Sequence, residues 1–370
     1  MYIAPNTDPV KQDFIERLEE NIKYFLPDEI SNVAEISITE VVKNNDLKLT
    51  ALSIHEPDIN ISPNIYLDGF IEQYSEGIDF DDIMTNIADM YMQHRDPNIK
   101  NFDISDIASY EKVADRLVTK IVNTELNREF LAVVPHKEFG DLSVFAQIRL
   151  DETKDTMASI TLRDDILERW DVTLNEVLEK ASENDLKLTK PRLIPMDKVI
   201  DSMRQFYEID QESFLPTDDD RMIPMYVLST TDKINGAKLI NQHELLDEIS
   251  DYLNANLIIL PSSIHEAIVI PSDQNLMNLD ELSMMVKSIN GEVLSKSDVL
   301  SDHAYVYSKE ERTLFFEKDG DKVMMQFTNE KKEPEKARGI KDKLKEATKK
   351  SKEQSFARDT RSKERSVERA

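Results

Sequence analysis

One helix-start pattern recurs along this chain and restricts what it can fold into. In "VTLNEV" Thr173 is placed to cap a helix, Glu176 to reach back to it, and Val172 to pack on Val177, which is a capping box with a hydrophobic staple. The spacing returns in "IDFDDI" (Ile78, Asp79, Asp82, Ile83), "FDISDI" (Phe102, Asp103, Asp106, Ile107), "INQHEL" (Ile240, Asn241, Glu244, Leu245) and "MNLDEL" (Met277, Asn278, Glu281, Leu282). Asp and Asn cap as Ser and Thr do, so each site predicts a helix start. These are ordinary helix signals with no functional content of their own.

Between them lie short runs rich in β-branched and aromatic residues. "LKLTALSI" (Leu47 to Ile54), "REFLAVVP" (Arg128 to Pro135), "LSVFAQIRL" (Leu142 to Leu150) and "MASITL" (Met157 to Leu162) read as half-buried antiparallel strands, with "DETKDT" as a polar turn. From Ile65 to Met84 and again from Ile160 to Leu178 the chain reads as a strand end, a short helix ending in Tyr74 or Trp170, and a capped second helix. This suggests a degenerate internal duplication. A further block opens at "MYVLS" (Met225 to Ser229) and continues through a helix from Asn241, "LIIL", "EAIVI", a helix from Asn278, "HAYVYS", "TLFFEK" and "KVMMQFT". The expected class is α+β, with antiparallel or mixed sheets and helices packed on them. Expected units are residues 1–125, 126–205 and 206–328, followed by a disordered or transiently helical basic tail at 329–370.

Charge sets that tail apart. The chain carries 46 Lys and Arg against 73 Asp and Glu; residues 331–370 hold 15 basic and 8 acidic residues, a net of +7, leaving 31 against 65, a net of −34, for residues 1–330. An acidic body repels nucleic acid phosphates, so any nucleic acid contact is expected through the tail alone. No apolar run approaches the ~20 residues that cross a bilayer, and Met1 to Glu20 lacks a signal-peptide layout, so a cytoplasmic, non-membrane protein is expected. The absence of cysteine removes disulfides, thiolate nucleophiles and cysteine-based metal sites.

Motifs for nucleotide binding are missing: among 7 glycines there is no Gly-x-x-x-x-Gly-Lys and no Gly-x-Gly-x-x-Gly, so no cofactor is expected. None of the histidines His55, His94, His136, His243, His265 and His303 has a partner at the i, i+4 spacing of a helical zinc site, and no metal is expected. "TDDDR" (Thr217 to Arg221) reads as a solvated loop. In "LIILPSSIHEAIVIP" the simplest path is a strand, a turn at Pro261, Ser262 and Ser263, and a return strand. Ser263 and His265 then share a sheet face while Glu266 points away. A serine-histidine hydrolase built here needs its acid from elsewhere, such as Asp302. A hairpin turn or binding face is the stronger reading.

Taken together, "MYVLSTTDKINGA", "LIILPSSIHEAIVIP" and "LSDHAYVYSKEERTLFF", with "YLDGFIEQY" and "ITLRDDILERW" upstream, resemble an uncharacterised bacterial family, domain of unknown function 5688. The resemblance spans most of residues 25–318. It implies an origin in Gram-positive anaerobes, often near mobile elements, and supplies no catalytic residue. The expected function is therefore a non-enzymatic interaction or accessory protein with a protein partner of unknown identity. The alternatives are the hydrolase using Ser263 and His265, and an acidic DNA mimic that inhibits a DNA-binding protein.

Overall fold

Short apolar segments pair into three antiparallel sheets in the computed structural model, which describes residues 8–57, 59, 62–95, 104–152, 157–207, 224–275 and 277–328. The fold is α+β. The chain divides after Asn329, and the tail from 329 onward lies outside the described residues. So do Phe102 and Asp103 of one expected helix start, most of "DETKDT", and "TDDDR". Among the described residues no helix is long and apolar enough to cross a membrane.

The first sheet is a meander of β1 (Glu35–Val42), β2 (Lys48–His55) and β3 (Asn64–Tyr66), with Ile38 opposite Leu52. It follows α1 (Pro9–Asn21) and α2 (Asp28–Ser31) and is followed by α3 (Asp68–Ser75) and α4 (Phe80–His94). Phe14 and Leu18 from α1, Ile83 and Ile87 from α4, and Leu52 and Ile54 from β2 form one core. Burying each such side chain contributes about 1.5–3 kcal/mol. Asp79 caps α4, its carboxylate accepting the Asp81 and Asp82 backbone N–H groups.

After α5 (Tyr110–Val113), β4 (Leu117–Asn123) begins the second sheet. The segment Arg128 to Pro135, read from its composition as a strand, instead starts with a helical turn, α6 (Arg128–Leu131). Its first N–H groups are claimed from a distance: Asp46 accepts from Glu129 N at 2.8 Å and Phe130 N at 3.0 Å. β5 (His136–Phe139), β6 (Leu142–Glu152) and β7 (Met157–Thr161) complete the sheet, in which β6 pairs with each of the other three strands. Next come α7 (Asp164–Trp170) and α8 (Leu174–Leu188), the latter opened by the capping box of Thr173 and Glu176. The order strand, short helix, capped long helix thus occurs twice, after β3 and after β7.

The third sheet has seven strands in the order β14-β13-β12-β10-β11-β9-β8. Its edge strand β8 (Pro191–Pro195) precedes α9 (Met196–Tyr207) and pairs with β9 (Tyr226–Thr230). The two prolines at its ends suit an edge, where no ladder N–H is needed. The helix expected from Asn241 begins two residues later as α10 (His243–Leu253). Asn241 is used elsewhere: its amide donates to Thr328 Oγ1 at 2.6 Å and accepts the Thr328 N–H at 3.1 Å.

β10 (Leu257–Pro261) and β11 (Ala267–Pro271) form the expected hairpin, α11 (Leu279–Glu292) carries the capping box of Asn278 and Glu281, and β12 (Tyr305–Ser308), β13 (Thr313–Lys318) and β14 (Asp321–Met325) follow. Every residue of β10 is buried. Leu257 and Ile259 enter a core that runs from Val113 to Phe327 and joins the second and third sheets. On the opposite face Ile258 and Leu260 pack beneath Leu282 and Val286 of α11.

Candidate functional site

The turn between β10 and β11 holds two of the residues singled out for chemistry. Its backbone closes on Glu266, whose carbonyl accepts the N–H groups of Ser262 and Ser263, both at 3.2 Å. Ser263 is buried, and its Oγ accepts the backbone N–H of His265 at 3.0 Å. The His265 ring turns to the preceding segment, where Nδ1 accepts the Asn235 N–H at 3.2 Å. Its carbonyl accepts the Ser229 hydroxyl at 2.8 Å. Asn235 is left-handed, with φ 50°, and Gly236 follows so closely that an added Cβ would sit 2.4 Å from the His265 oxygen. Local hydrogen bonds therefore fix the serine and the imidazole, and among the described residues none joins the two side chains.

Asp302 lies on the loop before β12 and accepts the Asn290 amide of α11 at 2.8 Å. The acid that meets this loop is one that sequence reasoning passed over. Asp141, in the β5–β6 turn, accepts from Ser301 Oγ at 2.6 Å and from Tyr305 OH at 3.0 Å. Burial pushes its carboxyl up, while Ser301, the nearby His303 and Tyr305 pull it down. The His303 ring stacks on Phe316, 4.8 Å between centroids, and its backbone N–H donates to Ser301 Oγ at 3.0 Å. Ser301 thus faces a carboxylate without an imidazole between them. This arrangement anchors a loop and lacks the proton relay of a serine hydrolase.

A second buried pair crosses between the sheets. Lys238, in the 3-10 turn Gly236–Asn241, places Nζ 2.6 Å from Asp185 of α8, with the two side chains 2% and 0% exposed. Thr119 of β4 adds its hydroxyl to the same carboxylate at 2.5 Å. Burial pushes Asp185 up, and the Lys238 charge and Thr119 act against it.

A third polar junction joins the β1–β2 loop to β4 and to the loop after α11. Asn45, left-handed at φ 62°, donates its amide to the carbonyls of Lys296 at 2.6 Å and Val299 at 2.8 Å. The Asn44 amide donates to the Ser297 carbonyl at 2.7 Å, leaving Asn44 Oδ1 enclosed without a partner. Lys120 stands at the centre of β4, opposite Phe145 and between the buried Val118 and Val122. No hydrogen bond or ion pair holds its ammonium among the described residues. Its position in an apolar strand gave no sign of this in the sequence. Among the described residues no group of three or more His, Asp or Glu side chains is arranged to hold a metal ion.

Comparison with known proteins gives one match. A family model described as a family of unknown function (DUF5688) matches residues 11–309. No curated protein and no solved structure matches the chain.

Proposed function

Because this chain belongs to the family of unknown function DUF5688, whose model covers most of its length, we propose a function from its own side chains: it acts by binding, as a non-enzymatic accessory protein. One observation carries this reading. Ser263, His265 and Asp302 each spend polar atoms on bonds within the fold, to a backbone N–H, to Asn235 and to Asn290 respectively.

A surface that suits binding lies on α11. Its inner face buries Leu282 and Val286, while Met285, Ile289 and Val293 follow one another turn by turn on the outside, beside Met284. Met284 is 64%, Ile289 47% and Val293 75% exposed. Methionine side chains adapt to varied apolar surfaces. The exposed Glu281 and Glu292 flank this row, and residues 1–330 carry a net charge of −34. Charge complementarity therefore selects a basic amphipathic helix of a protein partner over a second, equally acidic copy of this chain. The setting of this reading is the bacterial cytoplasm, in the service of a mobile genetic element, with the basic residues 331–370 adding a salt-sensitive contact to nucleic acid or an acidic surface.

The test is affinity purification of the full chain from its host, with nuclease present, alongside Ser263→Ala and His265→Ala. A basic protein retained equally by all three supports binding without catalysis. A turnover activity abolished by either substitution contradicts it.

A further inference from the structure

Among the described residues β1 is the longest strand at a sheet edge, and its outer side meets no other strand. Its eight residues pair with β2 without a bulge, from Glu35 opposite His55 to Val42 opposite Lys48. Continuing that register, the Lys43 N–H donates to the Leu47 carbonyl at 2.8 Å. Hydrogen-bonded pairs alternate along an antiparallel ladder, so Glu35, Ser37, Thr39 and Val41 bond β2, while the N–H and C=O groups of Ile36, Ile38, Glu40 and Val42 point outward. Thr50 of β2 agrees with this alternation, its carbonyl turning from β1 to accept the Leu67 N–H at 2.8 Å. Among the described residues no group accepts the four outward N–H groups.

A bare row of backbone donors and acceptors is a template for another chain, and folded proteins blunt such edges with prolines, lysines, bulges or covering groups. Other edges of this fold are blunted in that way. Pro191 and Pro195 bound β8, Lys322 lies in β14, and Asp185 accepts the Thr119 N–H of the edge strand β4 at 3.2 Å. β1, with the sequence "EISITEVV", has no proline, no lysine and no bulge.

We infer that β1 pairs antiparallel with β1 of a second copy of this chain, about a two-fold axis at Thr39. That register sets Ile36 opposite Val42 of the second copy and Ile38 opposite its Glu40, and symmetry repeats both pairs. All four outward residues are then used, in four pairs that each exchange two hydrogen bonds. Glu35 comes opposite Lys43 of the second copy, whose ammonium lies 4.3 Å over the Tyr66 ring of its own chain, so no like charges are opposed. An axis at Glu40 would set that carboxylate against its own copy, and an axis at Ile38 would spend Val42 on the buried Ala34, outside the strand. One strand pair is a small interface, so the dimer depends on concentration. Each chain carries a net charge of −27, so the dimer tightens as salt screens the repulsion. This is the reverse of the salt response at α11, and each reading stands or falls alone.

Sedimentation equilibrium of the full chain over a concentration and salt series reads the dimer directly. Glu40 is exposed, and Glu40→Pro deletes one outward N–H per copy without touching a bond to β2, so the fold should hold while dimer affinity falls at least about tenfold. The double variant Ile289→Asp, Val293→Asp should dimerise as the unaltered chain does. Because the chain has no cysteine, Thr39→Cys adds a lone thiol that the axis brings against its own copy, at a non-hydrogen-bonded pair with Cα atoms about 4.5 Å apart. With copper phenanthroline as oxidant it should cross-link at least about tenfold faster than Ser37→Cys, whose two copies lie beyond the roughly 7 Å that a disulfide spans. A chain that stays monomeric at every concentration and salt overturns the proposal and leaves the edge to a strand of another protein. A dimer that Glu40→Pro leaves intact, or equal cross-linking at the two positions, overturns it as well.

Discussion

The Asp185 carboxylate and the Lys238 ammonium meet at 2.6 Å where neither side chain reaches solvent. Through this contact and the Thr119 hydroxyl, α8 is fastened both to β4 and to the turn that leads into α10. The second and third sheets share a core, and this pair pins them within it.

Removing one partner strands the other charge in that core. Lys238→Met or Asp185→Leu should each cost about 3–5 kcal/mol, whereas the double change should cost much less than the sum, because an apolar pair carries no desolvation penalty. Urea denaturation of the three variants checks this. Additive losses would show that the two groups do not act as a pair.

Lys120 makes stability depend on alkaline pH. Its folded value of about 8 lies below the ordinary 10.5, so between those limits the unfolded chain holds more protons and stability rises with pH. Below about 8 both states are protonated and the fold bears the whole cost of the buried charge, about 3 kcal/mol at most. Lys120→Met should therefore raise the denaturation midpoint at pH 7, with its advantage over the unaltered protein shrinking by pH 10. A constant difference across that range would contradict this.

Gly236 has no room for a side chain, since an added Cβ would lie 2.4 Å from the His265 oxygen and 2.5 Å from Ser229 Oγ. Gly236→Ala should cost about 3 kcal/mol or more, in the range of severe overpacking. A thermal melt within a degree or two of the unaltered protein would mean that the turn does not press on β9.

Tyr305→Phe removes one hydroxyl from Asp141 and leaves a buried carboxylate with Ser301 as its remaining side-chain donor. About 1–3 kcal/mol should be lost, measured by chemical denaturation. No loss would argue that water replaces the phenol.

What the sequence disclosed was local. Thr173, Asp79 and Asn278 cap their helices as the spacing requires, because cap and partner lie within one turn. The β10–β11 hairpin was equally legible from its prolines and serines. Arg128 to Leu131 misled, since its apolar content suits a strand while Asp46, far away in the chain, claims the N–H groups of a helical turn. Asn241 failed as a cap for the same kind of reason, its amide being drawn to Thr328. Asp141 and Ser301 lie 160 positions apart, and Asp185 and Lys238 lie 53 apart. No periodicity relates such pairs. Lys120 was hidden in a strand, β4, that was not recognised.

The central claim, binding through α11 rather than catalysis, is tested most directly by measuring partner retention on the full chain and on the double variant Ile289→Asp, Val293→Asp across a salt series. Both positions are exposed, so the melting temperature should hold. The account predicts a basic protein retained at low salt, released as salt rises, and lost at least tenfold from the variant. Equal retention by both chains would contradict it.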